Sequence, residues 1–65
     1  MEKQAKGLVI FDKDTDEYYC GQKKWDKKLR KAKIYHSEKY ACDAHDEILK
    51  TRPNTALFYV EVKIL

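Results

Sequence analysis

Residues 37–65, SEKYACDAHDEILKTRPNTALFYVEVKIL, change their apolar period once, and that change decides the fold class. Ala41, Ala44 and Ile48 recur at helical spacing behind Ser37, a residue type whose hydroxyl caps helix N-termini. The spacing predicts a helix from Glu38 to about Thr51, with Tyr40 and His45 flanking its buried stripe. Glu38 in the first turn and Lys50 with Arg52 at the last suit the helix dipole. Pro53 disfavours helix at Arg52, and Asn54-Thr55 turns the chain. From Ala56 to Leu65 the period becomes two. Phe58, Val60, Val62 and Ile64 share one face; Tyr59, Glu61 and Lys63 take the other. The small alanines predict a helix lying close against the apolar face of a sheet.

Upstream, Leu8 to Asp12 (LVIFD) is apolar on both faces, as a central strand is. The aspartates of Asp12-Lys13-Asp14-Thr15-Asp16 can bond local amides, so this segment reads as a turn. Glu17 to Gly21 resumes an extended pattern, giving a hairpin with a bulge or bend at Gly21. Trp25, Leu29 and Ala32 fall at i, i+4 and i+7, the stripe of a short helix that Asp26 would cap. Residues 33–36 are too few for a helix and read as a third strand. The expected fold is α+β: a small three- to four-stranded, mainly antiparallel sheet packed against one principal helix, ordered β-β-short helix-β-α-β. Residues 1–65 form a single domain.

A chain of 65 residues buries only about 60% of the surface its unfolded form exposes, so about 3–5 kcal/mol of stability is expected. Five Tyr, two Phe and one Trp nevertheless supply a core that disordered chains lack. The apolar run Leu8 to Phe11 is too short for a signal-peptide core or a membrane span. Cys20 and Cys42, without a secretion signal, suggest free thiols in a reducing cytoplasm. The expectation is a protein of the cytoplasm, monomeric or a small homo-oligomer, with no membrane partner.

Charge is distributed unevenly. Between Lys23 and Lys33 the run KKWDKKLRKAK holds seven basic residues and one acid, a local +6. The whole chain is +3, so the remainder is −3. Such a run is a solvated face that keeps a small domain soluble, a phosphate-contacting surface, or a docking site for an acidic or nucleic-acid-handling protein. The candidate partner-binding residues are Lys23, Lys24, Lys27, Lys28, Arg30 and Lys31. Trp25 could stack a base, but its place on the Leu29/Ala32 stripe assigns it to the core. A net charge of +3 is modest for an unassisted nucleic-acid binder, which puts protein ahead of DNA or RNA.

Other constellations are weaker. Cys20, His36, Cys42 and His45 make a Cys₂His₂ set, with Cys42 and His45 one helical turn apart, yet no C-x2-C knuckle pairs the cysteines. Small buried cysteines and histidines at the surface or core edge explain the four better, and no metal or other cofactor is expected. Asp12-x-Asp14-x-Asp16 begins like a calcium loop, but Glu17 and Lys23 stand where that loop needs Gly and Glu. His36 and Ser37, as neighbours on an extended chain, point to opposite sides and make a poor nucleophile and base. No phosphate loop, nucleophile elbow or paired-carboxylate motif is present, so no catalytic residue and no enzyme activity are expected. The last strand reads either as an exposed edge able to pair with another strand or as an interior strand.

Tyr18, Tyr19, Trp25, Ala32, Ile34, Tyr35, Ser37 and Ala41 carry a pattern that resembles small open reading frames of phages and prophages. There an aromatic strand runs into a Trp, an Ala, an apolar-aromatic pair, a Ser and an Ala opening a helix. The likeness covers about a third of the chain, and the basic run is not part of it. The group mostly has no assigned activity. The resemblance implies a mobile-element origin, and with it a non-catalytic protein that binds and modulates or inhibits a host protein. The alternative is a small DNA- or RNA-binding protein using the same basic run.

Overall fold

A computed structural model describes the backbone of residues 3–64 and the side chains of residues 6–61. In chain order it contains β1 (Lys3–Asp12), β2 (Glu17–Gly21), β3 (Lys24–Asp26), a 3₁₀ turn (Leu29–Lys31), α1 (Glu38–Leu49) and β4 (Thr55–Ile64). The strands form one antiparallel sheet in the order β3-β2-β1-β4, and α1 packs on it. This is the α+β architecture the sequence predicts, with four strands and one principal helix. Leu65, expected in the last strand, and the side chains of Val62, Lys63 and Ile64 lie outside the described residues.

β1 is longer than its apolar run. It pairs with β4 without interruption from Lys3 opposite Ile64 to Asp12 opposite Thr55. The ten-residue partner offers backbone groups along its whole length, so the polar start of β1 joins the ladder.

Register then assigns the faces, because residues opposite one another share a side of the sheet. Leu8 faces Tyr59, Ile10 faces Leu57, and Asp12 faces Thr55. Val9 faces Phe58, Gly7 faces Val60, and Phe11 faces both Ala56 and Tyr18. Val9 and Ile10 are the largest fully buried side chains, one on each side of β1.

Helix α1 covers the Leu8/Ile10 side. His45 Nε2 lies 3.0 Å from the Thr55 carbonyl oxygen and 3.1 Å from Thr55 Oγ1, and the Tyr59 hydroxyl donates to Glu38 at 3.4 Å. Ala41 is fully buried at this contact, as the sequence predicts, with Ala44, His45 and Ile48 half-buried around it. The expected face is corrected, however. The helix does not cover Phe58 and Val60. Both faces of β1 and β4 carry apolar residues, so alternation alone does not choose between them. Ser37 occupies the N-cap position but its hydroxyl makes no cap hydrogen bond, and the helix ends at Leu49.

The expected short helix and third strand exchange character. Lys24–Asp26 is a strand and Leu29–Lys31 a single 3₁₀ turn, while residues 33–36 contribute one bridge. Leu8 and Tyr35 exchange two backbone hydrogen bonds of 2.8 Å, and the Lys33 amide donates to the Tyr19 carbonyl at 2.9 Å. The reason is a tight hairpin at Gln22 (φ 52°) and Lys23 (φ 61°), the signs that a type I′ turn requires. Gln-Lys is not a pair that announces such a turn. Gly21 precedes it at φ 90°, where a Cβ would also meet Lys33 Cδ at 3.3 Å.

Candidate functional site

Positioning of the basic run follows from that hairpin. Lys23 sits in the turn, Lys24 opens β3, Lys27 and Lys28 lead to the 3₁₀ turn, and Arg30 and Lys31 lie within it. All six are exposed. Among the described residues the ion pairs are Lys50–Glu47, Arg52–Asp12 and Arg52–Glu17, so none of the six is neutralised internally. The acid inside the run, Asp26, accepts a hydrogen bond from the Lys28 amide at 2.8 Å and fixes the chain's departure from β3. The six cations therefore follow the β3 edge rather than one side of a helix.

Trp25 and Leu29 do not share a stripe. Trp25 stands on β3 opposite Tyr19, their ring centroids 5.2 Å apart, on the side of the sheet that α1 covers. The Arg52 guanidinium carbon lies 3.9 Å from the Trp25 ring centroid. Leu29 instead reaches the uncovered side, where it meets Val9, Phe11, Tyr18, Phe58 and Val60 around a depression of about 310 Å³. Phe11 packs against Tyr18 at 4.8 Å and against Phe58 at 6.0 Å, both centroid to centroid. Sequence reasoning missed this apolar face, because the helix was expected to occupy it. A second depression of about 430 Å³ lies beside α1, lined by Tyr19, Lys23, Trp25, Glu47, Ile48 and Thr51.

Arg52, read from the sequence only as a favourable charge at the helix end, lies beyond that end at Leu49 and has a different part. Its Nη1 donates to Asp12 Oδ2 at 2.9 Å and to Glu17 Oε1 at 3.4 Å. Burial pushes the Asp12 carboxyl up. The Asp14 amide, Arg52 and the Thr15 amide more than offset this and hold it below its ordinary value. Asn54 Nδ2 adds a 2.8 Å bond to Asp14 Oδ2. The aspartates at the first hairpin thus lock that turn to the α1–β4 connection. A pairing of residues forty positions apart leaves no local signal.

The Cys₂His₂ residues are not gathered. Cys42 is exposed on α1, His36 is exposed ahead of it, and His45 is bound to Thr55. Cys20 lies on β2, its thiol 3.4 Å from the Tyr18 carbonyl oxygen. Burial pushes that thiol's pKa up, Asp26 and Glu17 add to the effect, and Lys31 opposes it, which disfavours the thiolate that metal binding and nucleophilic attack require. Among the described residues no group of three or more His, Cys, Asp or Glu side chains is placed to share a metal ion. No helix among them is long and apolar enough to cross a membrane.

Compared with protein-family models, curated proteins and solved structures, the chain matches none.

Proposed function

We propose that this chain is a non-catalytic binding module of phage or mobile-element origin. It docks onto a host protein in the bacterial cytoplasm, a nucleic-acid-handling or defence enzyme, and modulates or inhibits it. The docking surface is the basic edge formed by Lys23, Lys24, Lys27, Lys28, Arg30 and Lys31.

One observation carries the reading. Lys27, Lys28, Arg30 and Lys31 are exposed, form no ion pair among the described residues, and flank Leu29 in sequence, and Leu29 lines an exposed apolar depression. Protein interfaces join an apolar centre to a polar, charged rim. A nucleic-acid surface of this size would instead offer open aromatic faces among its cations. The aromatic within this run, Trp25, is half-buried and stacked by Arg52. The origin rests on the aromatic-Trp-Ala-Ser pattern alone.

The second reading, a DNA- or RNA-binding protein, is favoured by the Tyr19/Trp25 wall beside Lys23. Fluorescence anisotropy against random duplex DNA and single-stranded RNA at about 50 and 200 mM salt separates the two. The protein-docking reading expects no binding to either nucleic acid in the micromolar range. Micromolar binding that weakens steeply with salt overturns it.

A further inference from the structure

The sheet has two sides and α1 covers one. On the other side Val9 is 1% exposed, whereas Leu29 and Phe58 are 48% and 45% exposed. Leu29 rises from the 3₁₀ turn beyond β2, and Phe58 rises from β4 on the far side of β1. Val9 is thus the floor of a concave apolar surface, with Leu29 and Phe58 as its walls and Phe11, Tyr18 and Val60 completing the lining. Singly exposed apolar residues are ordinary on any protein. A contiguous apolar face bordered by charge marks an interaction site.

The shape and charge of the surface select its occupant. A second copy of this chain presents the same concavity, and two concave walls leave a void between them. The complement is convex. An α-helix about 10–12 Å across, with apolar residues at i, i+3, i+4 and i+7, has that form. Lys28, Arg30 and Lys31 sit on or at the start of the 3₁₀ turn that carries Leu29, Lys27 directly precedes it, and the four pair with no acid among the described residues. They call for acidic residues on one flank of the incoming helix.

We propose that the open face of the sheet is a receptor for an amphipathic helix. Its apolar stripe seats between Leu29 and Phe58, and its acidic flank meets Lys27, Lys28, Arg30 and Lys31. This rests on the protein-docking reading and deepens it by naming the form of the partner element. The basic edge supplies charge selection, and the apolar depression supplies the buried area.

The test uses the full ¹⁵N-labelled chain and a synthetic helix of about 18 residues, five turns long. That peptide carries Leu on its apolar stripe and Glu on one flank. One control has Lys for Glu; the other is a scramble of the same composition. The acidic helix is expected to give saturable amide shifts at Val9, Phe11, Tyr18, Leu29, Phe58 and Val60. The Lys helix should bind at least about tenfold more weakly, and the scramble should give no shifts. Leu29→Ser with Phe58→Ser, both at exposed positions, should abolish the response while the spectrum stays dispersed. Equal binding of the scramble, or no response on the apolar face, overturns the proposal. Shifts confined to residues 23–31 sink the apolar receptor and leave the basic-edge reading standing. Equal affinity for the Glu and Lys helices, with the apolar-face shifts kept, sinks the basic-edge reading together with the acidic flank. Single-stranded RNA shifting the same apolar residues would place another ligand class there and overturn the proposal.

Discussion

Arg52 Nη1 stands 2.9 Å from Asp12 Oδ2, joining the end of the first strand to the turn after the helix across forty positions. Asp12 is buried and Arg52 about a third exposed, so the carboxylate depends on the guanidinium more than the reverse. Arg52→Met keeps an apolar stem against Trp25 but strands that carboxylate. It should cost about 1.5–3 kcal/mol, the range for hydrogen bonds to charged groups. Adding Asp12→Asn should recover part of the loss, because the buried charge is then gone. Urea denaturation of both variants checks this, and a double variant as unstable as the sum of its parts would refute it.

Asp12 also sets an acid limit. Its folded-state pKa lies below the unfolded value of 3.8, so it favours the folded state fully above that value. The contribution is lost as pH falls below 3.8 through the folded pKa. The stability gap between the parent chain and Asp12→Asn should be widest near neutral pH and shrink below about pH 4. Melting curves of the two proteins between neutral pH and about pH 3 measure it.

At the second hairpin, Gln22 and Lys23 both adopt positive φ without being glycine. Left-handed backbone costs about 1–2 kcal/mol per residue of this kind. Gln22→Asn with Lys23→Gly matches the turn's preference and should raise stability by roughly 0.5–1 kcal/mol. The thermal midpoint reads the effect; a lowered midpoint would mean the hairpin is held by something other than backbone fit.

Ala41 is fully buried where α1 meets the sheet. Ala41→Leu forces extra methylenes into that contact and should destabilise by about 1–3 kcal/mol, a large share of what a domain this small has. Ala44→Leu, at a half-buried position, should cost less. Chemical denaturation of the pair ranks them.

Reversing Lys27, Lys28, Arg30 and Lys31 to Glu should leave the fold in place, since none of the four is in an ion pair among the described residues. Circular dichroism and the melting midpoint should stay close to those of the parent chain. Loss of structure would assign these side chains a part in folding instead.

How far the sequence could be read depended on distance along the chain. Ser37 to Ile48 carries a helical period and Thr55 to Val60 is rich in strand-forming residues, and a helix and a strand form there, though apolar residues on both faces of the strand leave its buried side undecided. Trp25, Leu29 and Ala32 also match a helical period, but over only eight residues, and strand pairing with Tyr19 overrode it at Trp25. The six basic residues were legible as a run, and the structure leaves all six exposed. The apolar depression of the candidate site was not legible. Which side of β1 the helix covers depends on register and on the Arg52–Asp12 pairing, and neither has a local signature.

One consequence lies in how the cationic segment is tied down. At its start β3 pairs with β2; at its end Lys33 and Tyr35 are hydrogen-bonded to Tyr19 and Leu8 within the sheet. The arc between these anchors spans only a few residues, with Asp26 bonded to the Lys28 amide inside it. A flexible basic tail would have to surrender backbone freedom when it met a partner, about 1–2 kcal/mol for each residue ordered. Here folding has already met that entropic demand. The lysines are presented on a stapled arch, so a partner docking there as proposed would spend little of its affinity on ordering the backbone.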